Sequence, residues 1–261
     1  MRILFLGDVV GKPGRRALAA TVPRLIDRER LDLVIANAEN ESGGMGVDPR
    51  GAQELFEAGV DVLTSGNHVW RRRGIVEFME RTSGLLRPAN FPPGVPGRGW
   101  MVCETAGGTP VAVVNLIGRV FMDAVDCPFR TVESLLPQVR ARARVIVVDM
   151  HAEATSEKVA MGWFLAGKVS AVVGSHTHVP TADERVLPGG TGFITDAGMC
   201  GPVDSVLGVN KDLIVRRFLT HMPVKFEVAA GPSVVQGVLI DVDPDSGQAQ
   251  AMRRVQEGCE A

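Results

Sequence analysis

The strongest constraint on the fold is a repeated pairing of a short apolar run with polar residues directly after it. Residues 3–6 run into Gly7-Asp8, 31–36 into Asn37-Ala38-Glu39-Asn40, and 60–63 into Gly66-Asn67-His68. Later, 145–148 run into Asp149-Met150-His151 and 169–173 into Gly174-Ser175-His176-Thr177-His178. Runs of this length, rich in β-branched residues, predict buried strands. Between them, Leu18, Val22, Leu25 and Ile26 have the spacing of a helix over 15–30. Asp48-Pro49 supplies an N-cap and first helical residue for a helix through 58, and 133–142 and 156–165 are helical in pattern. Strand and helix alternate with short connections, which predicts an α/β fold whose strands feed loops at one sheet edge. Ligands of open α/β sheets bind outside the carboxyl ends of the strands.

The remaining chain is less regular. Residues 88–99 carry Pro92, Pro93 and Pro96 without periodicity and read as a long surface loop. Further strands are expected over 100–104, 111–116, 192–194, 234–242 and 248–255, and a helix near 212–219. No repeat or linker divides the chain, so residues 1–261 read as one domain. Gly11-Lys12-Pro13-Gly14 reads as a turn and invites comparison with a nucleotide-triphosphate loop. That comparison fails: only three residues separate Gly7 from Gly11, and Pro13 stands where Ser or Thr is required. What remains is the idea that helix-start amides near Pro13 meet a phosphate.

Composition removes several classes of function. A formal net charge of -2 offers no basic surface for a polyanion. With 5% aromatic residues and no tyrosine, a base-stacking platform is not expected either. Long nucleic acid is therefore not expected as a partner. The four cysteines are far apart with no C-x-x-C pair, which points to reduced thiols in a cytoplasmic protein. No signal peptide is visible, and no run approaches about 18 apolar residues, so no membrane partner is expected. A homo-oligomer is left open.

Taken singly, Asp8 can be read as a helix cap, Asn67 as a turn residue and His151 as a buried hydrogen-bonded histidine. Taken together, five strand ends gather Asp, Glu, Asn and four of the five histidines, the signature of a metal or catalytic site. In an extended segment the i, i+2 spacing puts His176 and His178 on one side of the chain, where neutral imidazoles suit zinc, iron or manganese. His221, in Thr220-His221-Met222-Pro223, lacks such a setting and reads as structural.

The order Gly7-Asp8, Glu39-Asn40, Gly66-Asn67-His68, His151 and Gly174-x-His176-x-His178 resembles the calcineurin-like metallophosphoesterases. More closely it is similar to their bacterial YmdB-like branch. Asp149 to Lys158, Thr195 to Pro202 and Pro223 to Val228 extend the resemblance over nearly the whole chain. The resemblance implies a four-layer α/β/β/α sandwich of two mixed β-sheets flanked by helices. It also implies a dinuclear metal centre and phosphodiesterase activity on a cyclic nucleotide, 2',3' or 3',5'. Asp8, Glu39, Asn40 and His178 would hold one metal. Glu39, Asn67, His151 and His176 would hold the other, with Glu39 bridging and His68 as the general acid. Two departures stand out. Val10 occupies the place of a superfamily histidine, and Asn37-Ala38-Glu39-Asn40 replaces the usual bridging-aspartate motif. With Asn40 oxygen in place of that imidazole, the expected pair of transition-metal ions shifts toward iron or manganese, zinc remaining compatible.

Only Asp8 and Glu39 carry charge in this ligand set. Two divalent ions roughly 3.5–4 Å apart with a bridging hydroxide then leave a net charge of about +1. A phosphodiester monoanion neutralises it, whereas a monoester dianion overshoots, unless Arg15, Arg71 or Arg72 enters the site. The small glycine-rich stretch Gly43 to Gly46 is either a flap or a plain surface loop. The competing functions are a non-catalytic metal-stabilised regulator or binding protein and, among enzymes, a metal-dependent nuclease.

Overall fold

Alternation within each strand decides how the layers stack, because successive side chains point to opposite faces of a sheet. The computed structural model describes residues 1–259. Its chain begins with β1 (Arg2–Leu6), the two-residue β2 (Asp8–Val9), α1 (Gly11–Glu29), β3 (Leu33–Asn37), α2 (Pro49–Glu57), β4 (Val62–Thr64) and α3 (Ile75–Arg81). It continues with β5 (Trp100–Glu104), β6 (Pro110–Ile117), α4 (Pro128–Arg140), β7 (Val145–His151), α5 (Thr155–Leu165) and β8 (Ala171–Ser175). The last part holds β9 (Arg185–Leu187), β10 (Thr191–Ile194), β11 (Met199–Pro202), α6 (Lys211–Thr220), β12 (Ser233–Val242) and β13 (Ala249–Cys259).

Two mixed sheets result. The first has the order β2-β11-β12-β1-β3-β4 with β13 added to β12, and the second has β5-β6-β7-β8-β10-β9. Within the first, β1, β3 and β4 run parallel and β12 runs against β1. Within the second, β6, β7, β8 and β10 run parallel between antiparallel edges β5 and β9. Ile3, Phe5, Leu33, Ile35 and Ile240 of one sheet meet Val113, Val145, Val147, Ala171 and Val173 of the other. The alternate residues Leu4, Leu6, Val34 and Leu63 face Leu18, Val22, Leu25, Leu55 and Ile75 of α1, α2 and α3. On the far side, Val114, Ile146, Val148 and Val172 face Val132, Val139, Met161 and Leu165 of α4 and α5. The molecule is thus the expected α/β/β/α sandwich.

The same alternation prepares the site. Leu33 and Ile35 are followed on the inter-sheet face by Asn37, Val145 and Val147 by Asp149 and His151, and Ala171 and Val173 by Ser175. The inter-sheet layer is apolar through most of its length and polar at the carboxyl ends of the parallel strands. In the first sheet, β12 carries β1 as far as Leu6 opposite Gly237, and β11 takes over at Val234. Gly7 sits at this handover, donating to Gln236 O at 3.0 Å, and a Cβ there would lie 2.1 Å from Gly198 O. The chain passes the junction only as glycine, delivering Asp8 directly beyond it.

Several boundaries differ from the sequence-based expectation. The expected turn over Gly11-Lys12-Pro13-Gly14 is the first turn of α1, where proline's missing N–H costs no helical bond. Likewise α4 begins at Pro128, five residues before the amphipathic pattern becomes visible. The seven-residue α3, β9 and the Gly- and Pro-containing β11 are too short to show a period. His221 is exposed at the C-terminal cap of α6. No helix among the described residues is long and apolar enough to cross a membrane.

Phe5 is fully buried in the layer shared by both sheets. Phe5→Ala should lower unfolding free energy by about 3–5 kcal/mol, read as a lower denaturant midpoint at unchanged slope. A loss below about 1 kcal/mol would contradict the placement of this ring in the inter-sheet core.

Candidate metal centre

Seven of the eight residues singled out in the sequence are linked by side-chain contacts of 4.0 Å or less. Glu39 lies 3.2 Å from His151, 3.3 Å from His68 and 4.0 Å from His176. His151 Nε2 and His176 Nδ1 are 3.0 Å apart. Asp8 Oδ1 is 3.7 Å from His178 Nε2 and 3.9 Å from His151 Nδ1, and Asn40 reaches His178 at 3.1 Å and His68 at 2.8 Å. The eighth, Asn67, stands between His68 and Gly66, the latter so close that a Cβ would lie 2.2 Å from the His151 ring and 2.3 Å from Glu39 Oε2. Asp8, Glu39, Asn40 and His151 are buried.

His151 at the end of β7 and the two histidines that follow β8 each have their outer nitrogen occupied. Ser175 Oγ donates to Asp149 Oδ1 at 2.6 Å, so it accepts from His151 Nδ1 at 2.9 Å. His176 Nε2 faces Glu153 Oε2 at 3.2 Å, and His178 Nδ1 donates to Leu207 O at 3.0 Å. The nitrogens left over, His151 Nε2, His176 Nδ1 and His178 Nε2, all face the cluster. An occupied outer nitrogen fixes the tautomer and aims the other lone pair, as in histidine-metal sites.

The histidine pair arrives by a different route from the one expected. β8 stops at Ser175, and His176 and His178 adopt φ values of 96° and 64° rather than extended geometry. A turn, not a strand face, brings both rings inward. Left-handed backbone at residues with a Cβ costs about 1–3 kcal/mol each and clusters at functional sites. Asn40 also differs, because its Nδ2 faces Glu39 and His178 while its Oδ1 accepts from His68. Turning the amide over would exchange the two atoms and put the oxygen toward His178, a choice set by the hydrogen-bond network.

Sequence inspection missed the layer behind the donors. Asp149 Oδ2 accepts from Thr64 Oγ1 at 2.5 Å and Asn37 Nδ2 at 3.1 Å, completing the support of Ser175 and His151. The signal that could have found Asn37, Asp149 and Ser175 is their register, each following two apolar inward residues on its strand. Arg15 binds Glu41 and Glu54 instead of entering the site, and Arg72 donates to Ser42 O. The glycine loop is hooked to the site by Gly44 N on Asn40 O and Gly46 N on Glu39 O. Its Gly43, Gly44 and Gly46 have φ of 63°, 81° and 92°, which glycine adopts without strain.

Protonation follows this packing. Burial pulls His151 down, but Glu39, Asp8 and Asp149 outweigh it and raise it to about 9. Burial and the neighbouring His151 lower His176 to about 3. Glu39 is held well below the carboxylate range: burial opposes this, and His151 and His68 overcome it. Burial raises Asp8, against the pull of His178 and His151, and raises Asp149 to about 6.

The sequence profile of the YmdB-like protein family matches residues 4–255. The chain belongs to the YmdB-like family. A Bacillus subtilis relative named 2',3'-cyclic-nucleotide 2'-phosphodiesterase is 45% identical over 98% of this chain and 96% of its own length. The crystal structure of a hypothetical protein from Thermus thermophilus, 41% identical, superposes with a TM-score of 0.93 over 100% of both chains. A Mycoplasma pneumoniae structure described as a novel phosphatase, 33% identical, also gives 0.93 over 100% of this chain and 94% of its own.

Membership makes this YmdB-like chain a metallophosphoesterase, and its fold family implies divalent metal ions. The donors present fit that requirement. Glu39, His151 and His176 each offer a ligand atom within 4.8 Å of the others. Asp8 Oδ1 and Asn67 Oδ1 are buried without any hydrogen-bond partner, a costly arrangement that a cation would relieve. In the metal-free protein the proton on His151 supplies the positive charge beside Glu39, so a cation must displace it. Affinity for manganese(II) should therefore climb roughly tenfold per pH unit from pH 6 and level off near pH 9, while His176, neutral throughout, adds no dependence. Titration of chelator-stripped protein at several pH values checks this; a flat affinity would contradict it.

Proposed function

We propose that the chain hydrolyses a small phosphodiester, a cyclic nucleotide, using two transition-metal ions and His68 as proton donor. The observation that carries this reading is a contact cluster around one buried glutamate that holds three oriented imidazole nitrogens and the unpartnered buried Asp8 Oδ1, with the equally unpartnered Asn67 Oδ1 next to His68 in the chain. Asp8, Glu39, Asn40 and His178 are assigned to one ion and Glu39, Asn67, His151 and His176 to the other. Oxygen donors from Asn40 and Asn67 favour iron or manganese, with zinc compatible. Bound there, the ions supply charge stabilisation at the phosphoryl group and a water-derived nucleophile at neutral pH. The name of the Bacillus subtilis relative supports a 2',3'-cyclic substrate over a 3',5'-cyclic one.

The remaining chemistry belongs to the protein. The carboxylates of Asp8 and Glu39 are the only formal charges in the ligand set, so the loaded site suits a monoanionic diester better than a dianionic monoester. His68 follows Asn67 in a turn, with Val69 N on Gly66 O and Arg71 N on His68 O. That turn sends its ring to the site although adjacent residues on a strand would diverge. With Nδ1 facing the Asn40 side-chain amide at 2.8 Å, Nε2 is left to hold a proton for the leaving oxygen. The side chain is 21% exposed, open enough to meet substrate and exchange protons.

Manganese-loaded protein should hydrolyse a 2',3'-cyclic nucleotide faster than a nucleoside monophosphate at equal concentration; a clear monoesterase preference would overturn the substrate class. His68→Ala should keep metal content near wild type while kcat falls by roughly 10²–10⁴ for a substrate with a basic leaving group. For a nitrophenolate leaving group, which barely needs the proton, the loss should shrink markedly. Equal losses on both substrates, or loss of metal, would remove the acid role.

A further inference from the structure

Asp196 lies just past β10, and its carboxylate is enclosed by donors. Oδ2 accepts from Lys158 Nζ at 2.6 Å, Thr177 Oγ1 at 2.7 Å and Thr177 N at 3.1 Å, and Oδ1 accepts from Gly198 N at 2.9 Å. Both charged groups are sealed from water, Lys158 being 1% exposed and Asp196 0%. An ion pair inside a protein loses the hydration of both partners, and an apolar pair of similar volume often serves stability as well or better. Its position here has a specific consequence. Thr177 is the residue between His176 and His178, the two left-handed positions of the turn. Such conformations persist only when the surroundings over-determine them.

The surroundings do so through consecutive amides. His176 N donates to Asp8 Oδ2 at 3.0 Å, and Thr177 N donates to Asp196. The Thr177 hydroxyl adds a second bond to the same Asp196 oxygen. Lys158 reaches that oxygen from α5 by passing beneath Gly174, where a Cβ would stand 2.8 Å from Lys158 Cδ and 1.7 Å from Thr195 O. The glycine before the histidine turn thus makes room for the lysine stem. We propose that Lys158 and Asp196 form a buried clamp, acting through Thr177, that holds His176 and His178 in metal-binding geometry. These are positioning residues, and the inference rests on the assignment of the two histidines as ligands.

Thr177→Val removes the hydroxyl with little change of shape. In the metal-free protein its melting temperature should stay within about 5 °C of wild type, while affinity for manganese(II), measured by titration, should fall roughly 10- to 100-fold. Thr177→Ser should restore affinity to near wild type, which a purely packing role for the side chain would not produce. The double variant Lys158→Met with Asp196→Asn avoids an unpaired buried charge and should lose affinity to a similar extent. Adding Thr177→Val to it should cause little further loss, as expected for residues acting as one unit. Wild-type affinity in Thr177→Val, no restoration by serine, or additive losses would each overturn the clamp. His176→Ala and His178→Ala, each expected to lose mainly one of two ions, separate this from the underlying assignment. If both retain full metal, the ligand reading fails and the clamp with it. If they lose metal while Thr177→Val does not, the clamp alone fails.

Discussion

The site depends on one buried carboxylate. Glu39 is fully enclosed, with His151 Nε2, His68, His176 and the Asn40 amide within 4.0 Å of its two oxygens. An ionised carboxylate taken out of water costs several kcal/mol unless positive charge or hydrogen bonds replace the lost hydration. Every neighbouring feature answers that requirement. The His151 proton supplies charge in the metal-free protein, and a divalent ion would supply more. Gly66 must lack a side chain because Glu39 and His151 occupy the space a Cβ would fill.

From this carboxylate the polar network spreads into the fold. His151 is backed by Ser175, Ser175 by Asp149, and Asp149 by Thr64 and Asn37, so four strands from both sheets share one hydrogen-bonded chain. A buried network of this kind is useful only when its members are satisfied, because an unpaired polar group in low dielectric is expensive. Asp8 Oδ1 and Asn67 Oδ1 are the atoms beside the cluster left unsatisfied among the described residues. Both belong to the residues assigned as ligands. A bound cation would complete the interior where the chain alone does not.

Rigidity and chemistry are linked at the His176–His178 turn. Two residues in left-handed backbone are held by carboxylates on successive amides, one from β2 and one from just past β10. These charge-assisted hydrogen bonds to the His176 and Thr177 amides fix the backbone of the turn from which both imidazoles project. His68 is the exception. It is carried on a turn and partly open to solvent, as the proton-donating role proposed for it requires.

Much of this was legible in the sequence. The apolar runs of 3–6, 145–148 and 169–173 declare buried strands because β-branched residues suit a sheet interior, and the polar residues ending them declare an edge where ligands bind. The order of Asp8, Glu39-Asn40, Asn67-His68, His151 and His176-x-His178 marked the cluster itself. Other features needed the tertiary structure. α3 and β11 lack the length to show a period, and the left-handed backbone at His176 and His178 depends on carboxylates 168 and 19 residues away in the chain. The roles of Asn37, Asp149 and Ser175 emerge only when two sheets stack, because a residue's register against another sheet is not written in its own neighbours. Lys158 makes the same point: on α5 it reads as one more charged residue of a surface helix. Only the packing of that helix beneath Gly174 turns its charge inward to Asp196, where no water competes for it.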